Sequence, residues 1–404
     1  MNKEYQNSGI DWIGEIPKSW HISRVGAIFD HINKKNIYRE ETNILSLMKD
    51  IGVIPYSEKG DVGNKASDDI ERYFLVEPND IVMNSMNVII GSVGKSKYKG
   101  CLSQVYHVLR TKNYRMDCVN YYNYLFATRQ FQKKLVGYGN GILEHRMRIP
   151  MSKLKIVELP KPPNYVQKTI ANFLDEKTSK VEELIKIQET AIERLEEYKQ
   201  SVITEAVTKG LNPNALMKDS EIYNIGLIPK EWDVVKLQRM MKVQNGKPCE
   251  WVENGYPVYG SGGIFGYTND YLYLGPSVLL GRKGTIDKPN FVDKPFWTVD
   301  TSFYTIIHED NYPKYCYYIA KSIIDYKLYV YGSAVPSMTQ SILHNIYIVK
   351  PSYSEQKTIA TFLDKKIEEM NQLLQMKKDK IKKLNEYKKS LIYEAVTGKI
   401  ELTI

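Results

Sequence analysis

Four glycine-flanked turns of this chain concentrate cationic and hydrogen-bonding side chains. Lys95-Ser96-Lys97-Tyr98-Lys99 precedes Ser103-Gln104-Val105-Tyr106, and Arg146 and Arg148 follow the turn Gly137–Gly141. In the second half, Arg282-Lys283-Gly284-Thr285 and Ser337-Met338-Thr339-Gln340 complete the four, with Ser261 and Tyr267 of the segment YGSGGIFGY as further candidate binding residues. Lys and Arg neutralise phosphates, while Arg, Gln, Ser and Thr can hydrogen-bond base edges in a DNA major groove. One such cluster is an ordinary solvated loop. Two per half, all at glycine turns, shift the balance toward a polyanionic partner.

Other chemistry lacks its residues. The glycine-rich loop Gly260–Gly266 has no Lys-Ser/Thr to make a phosphate-binding P-loop, and Gly94-Lys95-Ser96 lacks the first glycine of one because position 89 is Ile89. Pro162-Pro163-Asn164-Tyr165 has the composition of an adenine methylase tetrad in the wrong order. Carboxylate pairs such as Asp287 and Asp293 are too common to mark a metal-dependent nuclease, and no Ser/His/Asp or Cys/His constellation stands out. Cys101, Cys118, Cys249 and Cys316 form no CxxC pair, and six scattered histidines give no metal spacing. The sequence therefore assigns no catalytic residue, no metal ligand and no cofactor to this chain. Its polar N-terminal stretch and lack of long apolar runs give the expectation of a soluble, cytoplasmic protein.

The elements that must position these loops come from a duplication. QKTIANFLDEK at Gln167 returns as QKTIATFLDKK at Gln356, and EYKQSVITEAVTKG returns as EYKKSLIYEAVTGK, both at an offset of 189 residues (356 less 167). IGEIPKSW at Ile13–Trp20 returns as IGLIPKEW at Ile225–Trp232, at an offset of 212 (225 less 13). The stretches between are unlike each other. Formal charge is +9 over 404 residues, and residues 20–155 carry 21 Lys/Arg against 13 Asp/Glu, whereas residues 232–350 carry 12 against 10. That lopsided basic excess suits a polyanion. The 31 tyrosines read mainly as strand residues.

Within the repeated segments, Val181, Leu184, Gln188, Ala191, Leu195, Tyr198 and Val202 advance in steps of three and four, widened by Ile185, Ile192, Lys199 and Ile203. Ile367, Met370, Leu374, Lys377, Ile381, Leu384, Lys388 and Leu391 do the same, with Tyr387 beside them. These are heptad seams, expected to join each other antiparallel or to dock a partner. Asn164 with Gln167, and Ser352 with Glu355, read as capping boxes, Gly210 and Gly398 as stops, and each segment as a short helix followed by one of about 30 residues. In the unlike stretches, Thr42–Met48, Asp80–Asn84 and Ser103–Arg110 read as strands and Asn120–Val136 and Pro313–Tyr329 as helical. The expected organisation is α+β. A variable α+β domain over 1–155, a helical spacer over 156–211, a second variable domain over 212–350 and a second spacer over 351–404 form a circularly arranged, pseudo-twofold duplication.

The repeated openings, KPP…QKTIANFLD, KPS…EQKTIATFLD and the EYK-S-I-EAVT ends make the chain resemble the specificity subunit of Type I restriction-modification systems. YGSGGIFGY, LLGRKGT, PFWTVDTSFY and GSAVPSMTQSIL resemble one common class of target-recognition domain, and GCLSQVYHVLR resembles another. One departure is Val166 where the second copy has Glu355. The resemblance implies a non-catalytic reader of double-stranded DNA, each recognition domain contacting one half of a bipartite asymmetric site. It also implies two methyltransferase subunits docked on the helices and ATP-dependent restriction subunits outside them, with S-adenosylmethionine, ATP and Mg used by those partners. No membrane partner is implied. Two alternatives differ in class: a self-contained methylase or nuclease, and a coiled-coil scaffold with two protein-binding domains.

Overall fold

The computed structural model describes residues 4–49, 51–61, 65–67, 69–86, 90–139, 148–324, 326 and 336–402. They form two compact units, one of residues 1–187 with 380–404 and the other of residues 188–379. Both long helices are shared between the units. The first runs unbroken over Asn164–Lys209 and the second over Tyr353–Val396, of 46 and 44 residues. The expected short leading helix is therefore continuous with the longer one. No proline or glycine interrupts either segment, and nothing else in them ends a hydrogen-bonded ladder. Glycines in left-handed backbone, Gly210 and Gly398, follow the helix ends as the stop signals require.

The unlike stretches hide a common sheet. In the first unit four antiparallel strands lie in the order Phe29–Ile32, Tyr106–Thr111, Ile81–Asn84, Val93–Lys95. In the second the order is Met241–Asn245, Ser302–Ile307, Ser277–Gly281, Asn290–Val292. Ser277–Gly281 is buried along its whole length, as is most of Ile81–Asn84, so neither shows the alternation of a half-exposed strand. Each unit also closes the base of its domain with a strand pair, His21–Arg24 on Glu158–Lys161 and Asp233–Lys236 on Tyr347–Lys350. The long helical patch expected over Asn120–Val136 is two helices, Val119–Ala127 and Arg129–Leu135. Thr128 divides them: its hydroxyl caps Phe131 N–H and donates to the Leu125 carbonyl.

Helix ends and helix middles play different parts. In the first unit, Ile170 and Leu174 from the start of the first helix join Leu391, Ala395 and Val396 from the end of the second in one core with Trp20, Phe29, Tyr121 and Phe126. In the second unit, Ile359 and Leu363 join Ile203 and Val207 around Trp232 and Tyr315. So the ends are ordinary domain core. Between them the seam narrows to Val181, Ile185, Gln188, Ile192, Leu195, Lys199 and Val202, buried or half-buried with Ala191 at its edge. Leu184 and Tyr198, expected in the seam, are exposed. The second helix keeps the expected register, with Met370, Leu374 and Leu391 buried and Ile381 and Leu384 half-buried, while Tyr387 is exposed. Lys388 pairs with Glu182 in one unit and Lys199 donates to Asn371 at 3.2 Å in the other. Within each unit the start of one helix packs with the end of the other, which is antiparallel packing.

Two glutamines tie each domain to its helix. Gln167 is fully buried; its Oε1 accepts the Cys118 N–H at 2.7 Å and its Nε2 donates to the Pro162 carbonyl at 2.8 Å. Gln356 repeats this with Tyr312 N–H at 2.8 Å and Pro351 O at 3.0 Å. The capping boxes are thus only half made. Ser352 Oγ accepts Glu355 N–H, but the Glu355 carboxylate accepts Trp232 Nε1–H at 3.0 Å, and Gln167 turns into the domain instead of back to Asn164. Replacing a buried amide that satisfies both an N–H and a carbonyl leaves two groups unpaired, at about 1–3 kcal/mol each. Gln356→Ala is therefore expected to cost about 2–6 kcal/mol in urea unfolding of the full chain, against less than about 0.5 kcal/mol for Gln188→Ala on the half-buried seam; equal effects would remove the glutamine from this role.

Candidate nucleic-acid interface

Of the turns singled out by residue type, the Arg282 turn joins two strands of the second unit's sheet, the Lys97–Lys99 turn joins Val93–Lys95 to Gly100–Leu102, and Ser337–Gln340 leads into the helix Gln340–Asn345. In the second unit they come together. Gly281 ends a buried strand, and the chain then turns so that Arg282 N–H donates to Thr301 O at 2.9 Å and Gly284 N–H to Pro336 O at 3.0 Å. Met338 N–H returns to Arg282 O at 2.8 Å, and Lys283 bridges to Ser337. Two loops 55 residues apart (337 less 282) are thus one surface. The Arg282 guanidinium lies 5.9 Å from the Phe303 ring and donates to Asp300 O at 3.3 Å; Lys283 is exposed and Thr285 half-buried. Thr339 and Gln340 serve the fold instead. Thr339 caps Ile342 N–H at 3.2 Å, and Gln340 donates to Val243 O at 3.0 Å while accepting from Asn245.

Beside this surface lies a pocket lined by Cys249, Trp251, Gly260–Phe265 and Val299–Thr301, which takes in the expected Ser261. The hairpin that builds it pairs Tyr256–Gly260 with Gly263–Thr268, and Tyr267 on it is exposed. Its glycines have a packing reason besides turning. A Cβ on Gly266 would sit 2.5 Å from the Trp251 ring, and one on Gly260 would sit 3.0 Å from the Phe265 ring. Only bare backbone lets both rings lie where they do. Trp251 and Asp300 were not singled out as site residues: Trp251 stands in no motif, and Asp300 lies in PFWTVDTSFY without a charge cluster around it.

In the first unit the expected residues separate. Ser103, Gln104 and Tyr106 line a groove of about 900 Å³ with Ser46, from a stretch read only as a strand, and with Lys65, Arg72 and Tyr73, from segments that sequence reading passed over. Burial pushes the Tyr106 hydroxyl's pKa up, with bonds to Ser46 and Leu47 opposing, so it stays a neutral donor. Lys97 and Lys99 are exposed on the turn between Val93–Lys95 and Gly100–Leu102. Lys95 is half-buried and its Nζ donates to Asn120 Oδ1 at 2.6 Å, which commits it to the fold. Arg148 is exposed, and Arg146 lies outside the described residues. Among the described residues no group of three or more His, Cys, Asp or Glu side chains could hold a metal ion.

The sequence matches the family described as the Type I restriction modification DNA specificity domain twice, over residues 17–197 and 229–383. The chain belongs to that family. It is 26% identical to the Type I restriction enzyme MjaVIII specificity subunit of Methanocaldococcus jannaschii, across 96% of this chain and 94% of that one. It is also 26% identical to the putative MjaX specificity subunit of the same organism, across 96% of each. Its fold resembles a chain solved in work on assembly and conformational transition of the type I R-M system, with a TM-score of 0.75 at 14% identity, covering 95% of this chain and 99% of that one. The HsdS subunit of Thermoanaerobacter tengcongensis gives 0.54 at 14% identity, covering 95% and 98%. No helix among the described residues is long and apolar enough to cross a membrane.

Two neighbouring strands of the first unit's sheet, Phe29–Ile32 and Tyr106–Thr111, carry a pH-sensitive pair. His107 Nε2 donates to Ile149 O at 2.8 Å, and the His31 ring stands 5.6 Å away, edge to face. Burial lowers both pKa values; His107 and Lys155 lower that of His31 further, and Arg148 acts the same way on His107. Both imidazoles are thus neutral in the fold and take protons more readily when unfolded. Below about pH 6.5 the unfolded chain binds more protons, so stability falls with acidification. We expect the urea midpoint to drop between pH 7 and pH 5, and His31→Phe to flatten that drop; a pH-independent midpoint would contradict it.

Proposed function

We propose that this chain is the non-catalytic reader of a Type I system, each unit contacting one half of a bipartite, asymmetric double-stranded DNA site. The observation that carries this is the pair of specificity-domain matches falling on two copies of one sheet whose loops differ. A common scaffold with unlike loops is what two unlike half-sites require. The exposed Lys97 and Lys99 in one unit and Arg282 with Lys283 in the other supply phosphate contacts, and Ser103, Gln104 and Ser261 supply base-edge groups.

The helices would dock two methyltransferase subunits, with ATP-dependent restriction subunits joining them in the cytoplasm. Outside the buried seam, the duplicated positions Leu184 and Leu373, Ile187 and Met376, and Tyr198 and Tyr387 are all exposed. An apolar side chain left on the surface at the same place in both copies fits a partner used twice.

The deciding measurement is genome-wide adenine methylation in cells carrying this chain with its neighbouring methyltransferase, against the methyltransferase alone. A bipartite motif should appear only with both, and exchanging residues 20–155 should change one half of it. Absence of a motif from an assembled complex would favour the scaffold reading. Lys97→Ala with Lys99→Ala should weaken binding of the complex to all sequences alike and lower the salt slope by about one per residue; an unchanged slope would take that turn off the DNA.

A further inference from the structure

The pocket of the second unit exposes three large apolar side chains in one place: Trp251, Ile264 and Phe265 are 55%, 52% and 55% exposed. They are not loosely held. The Trp251 and Phe265 rings meet at 5.1 Å between centroids, and two glycines are given over to seating them. Apolar surface fixed in water at such expense marks a contact face. The same pocket has Ser261, Thr301 and Asp300 in its lining, and the Arg282 turn is joined to it through Thr301.

We infer that this pocket reads one A·T pair in the major groove, with Phe265 and Trp251 against the thymine C5-methyl group. A hydroxyl of Ser261 or Thr301 would meet thymine O4, and Asp300 would accept from the adenine N6 amino group. This rests on the DNA-reading function proposed above. Three features select the pair. The ring faces of Phe265 and Trp251 are apolar, and the one apolar group exposed on a major-groove base edge is the thymine methyl, so contact with those faces favours thymine. An exposed carboxylate beside phosphates is repelled unless an amino donor meets it, and among major-groove edges only adenine and cytosine carry one. Of those two pairs only A·T also carries a methyl. Arg282 and Lys283, on the adjoining turn, are placed for the flanking phosphates, which gives the patch the charge complementarity a DNA occupant needs.

The experiment changes the DNA, so no variant has to fold for it to be read. The full chain, assembled with its methyltransferase subunits, is titrated against duplexes in which each thymine of the half-motif assigned to residues 232–350 is replaced singly by deoxyuridine. One position should lose about four-fold in affinity, the worth of one buried methyl group. At that position Phe265→Ala should bind the thymine and deoxyuridine duplexes equally. A half-motif without thymine, indifference at every position, or a ratio that survives Phe265→Ala would each overturn the inference while specific binding to the unmodified site leaves the DNA-reading function standing. Loss of all sequence preference by the assembled wild-type complex would remove both.

Discussion

A neutral amide held without water is the joint on which both halves of this molecule turn. Gln167 and Gln356 are each buried at the start of a long helix, and each satisfies one domain N–H and one preceding carbonyl. A charged group there would carry a heavy desolvation penalty, and an apolar one would strand two backbone groups. Around the joint the same tyrosines recur. Tyr121 and Tyr315 donate to the carbonyls of Val396 and Val207 near the end of the opposite helix, at 2.8 and 3.1 Å. Tyr124 and Tyr318 donate to Asp175 and Asp364, at 2.6 and 2.7 Å. Each domain is thus fastened to the beginning of one helix and the end of the other by hydrogen bonds with fixed direction, which an apolar core alone would not impose.

How much of this was legible depends on where the information lies along the chain. The helices, their stops and their antiparallel seam could be read because periodicity is local and the duplication repeats it. Gln167 and Gln356 were visible as identical letters, yet capping chemistry was the nearer explanation; the domain N–H groups they accept lie 49 and 44 residues away, in loops no local rule connects to them. The tyrosines were misjudged for a related reason. Composition made them strand residues, whereas Tyr121, Tyr124, Tyr315 and Tyr318 sit on helices and act through their hydroxyls.

The candidate interface divides along the same line. Loops rich in Lys, Arg and Ser were found by residue type, and the joining of Arg282 to Ser337 kept them in one place. Residue type could not say which side chains are already engaged, so Lys95, Thr339 and Gln340 were counted for a ligand when Asn120, Ile342 and Val243 hold them. The common four-stranded sheet escaped notice because its two versions share almost no residues. What recurs is the order in which strands pair, a property of long-range contacts, while hairpins such as Tyr256–Thr268 are left to differ.

The interleaving of the two units also sets a timetable for synthesis. Residues 188–379 are contiguous, so every contact of the second unit is available once that stretch has left the ribosome. The first unit, although translated earlier, lacks part of its core until residues 380–396 emerge, since Tyr121 must find Val396 across 275 positions. The domain made first is therefore the one finished last. A nascent chain must carry that open hydrophobic face through the translation of roughly two hundred further residues.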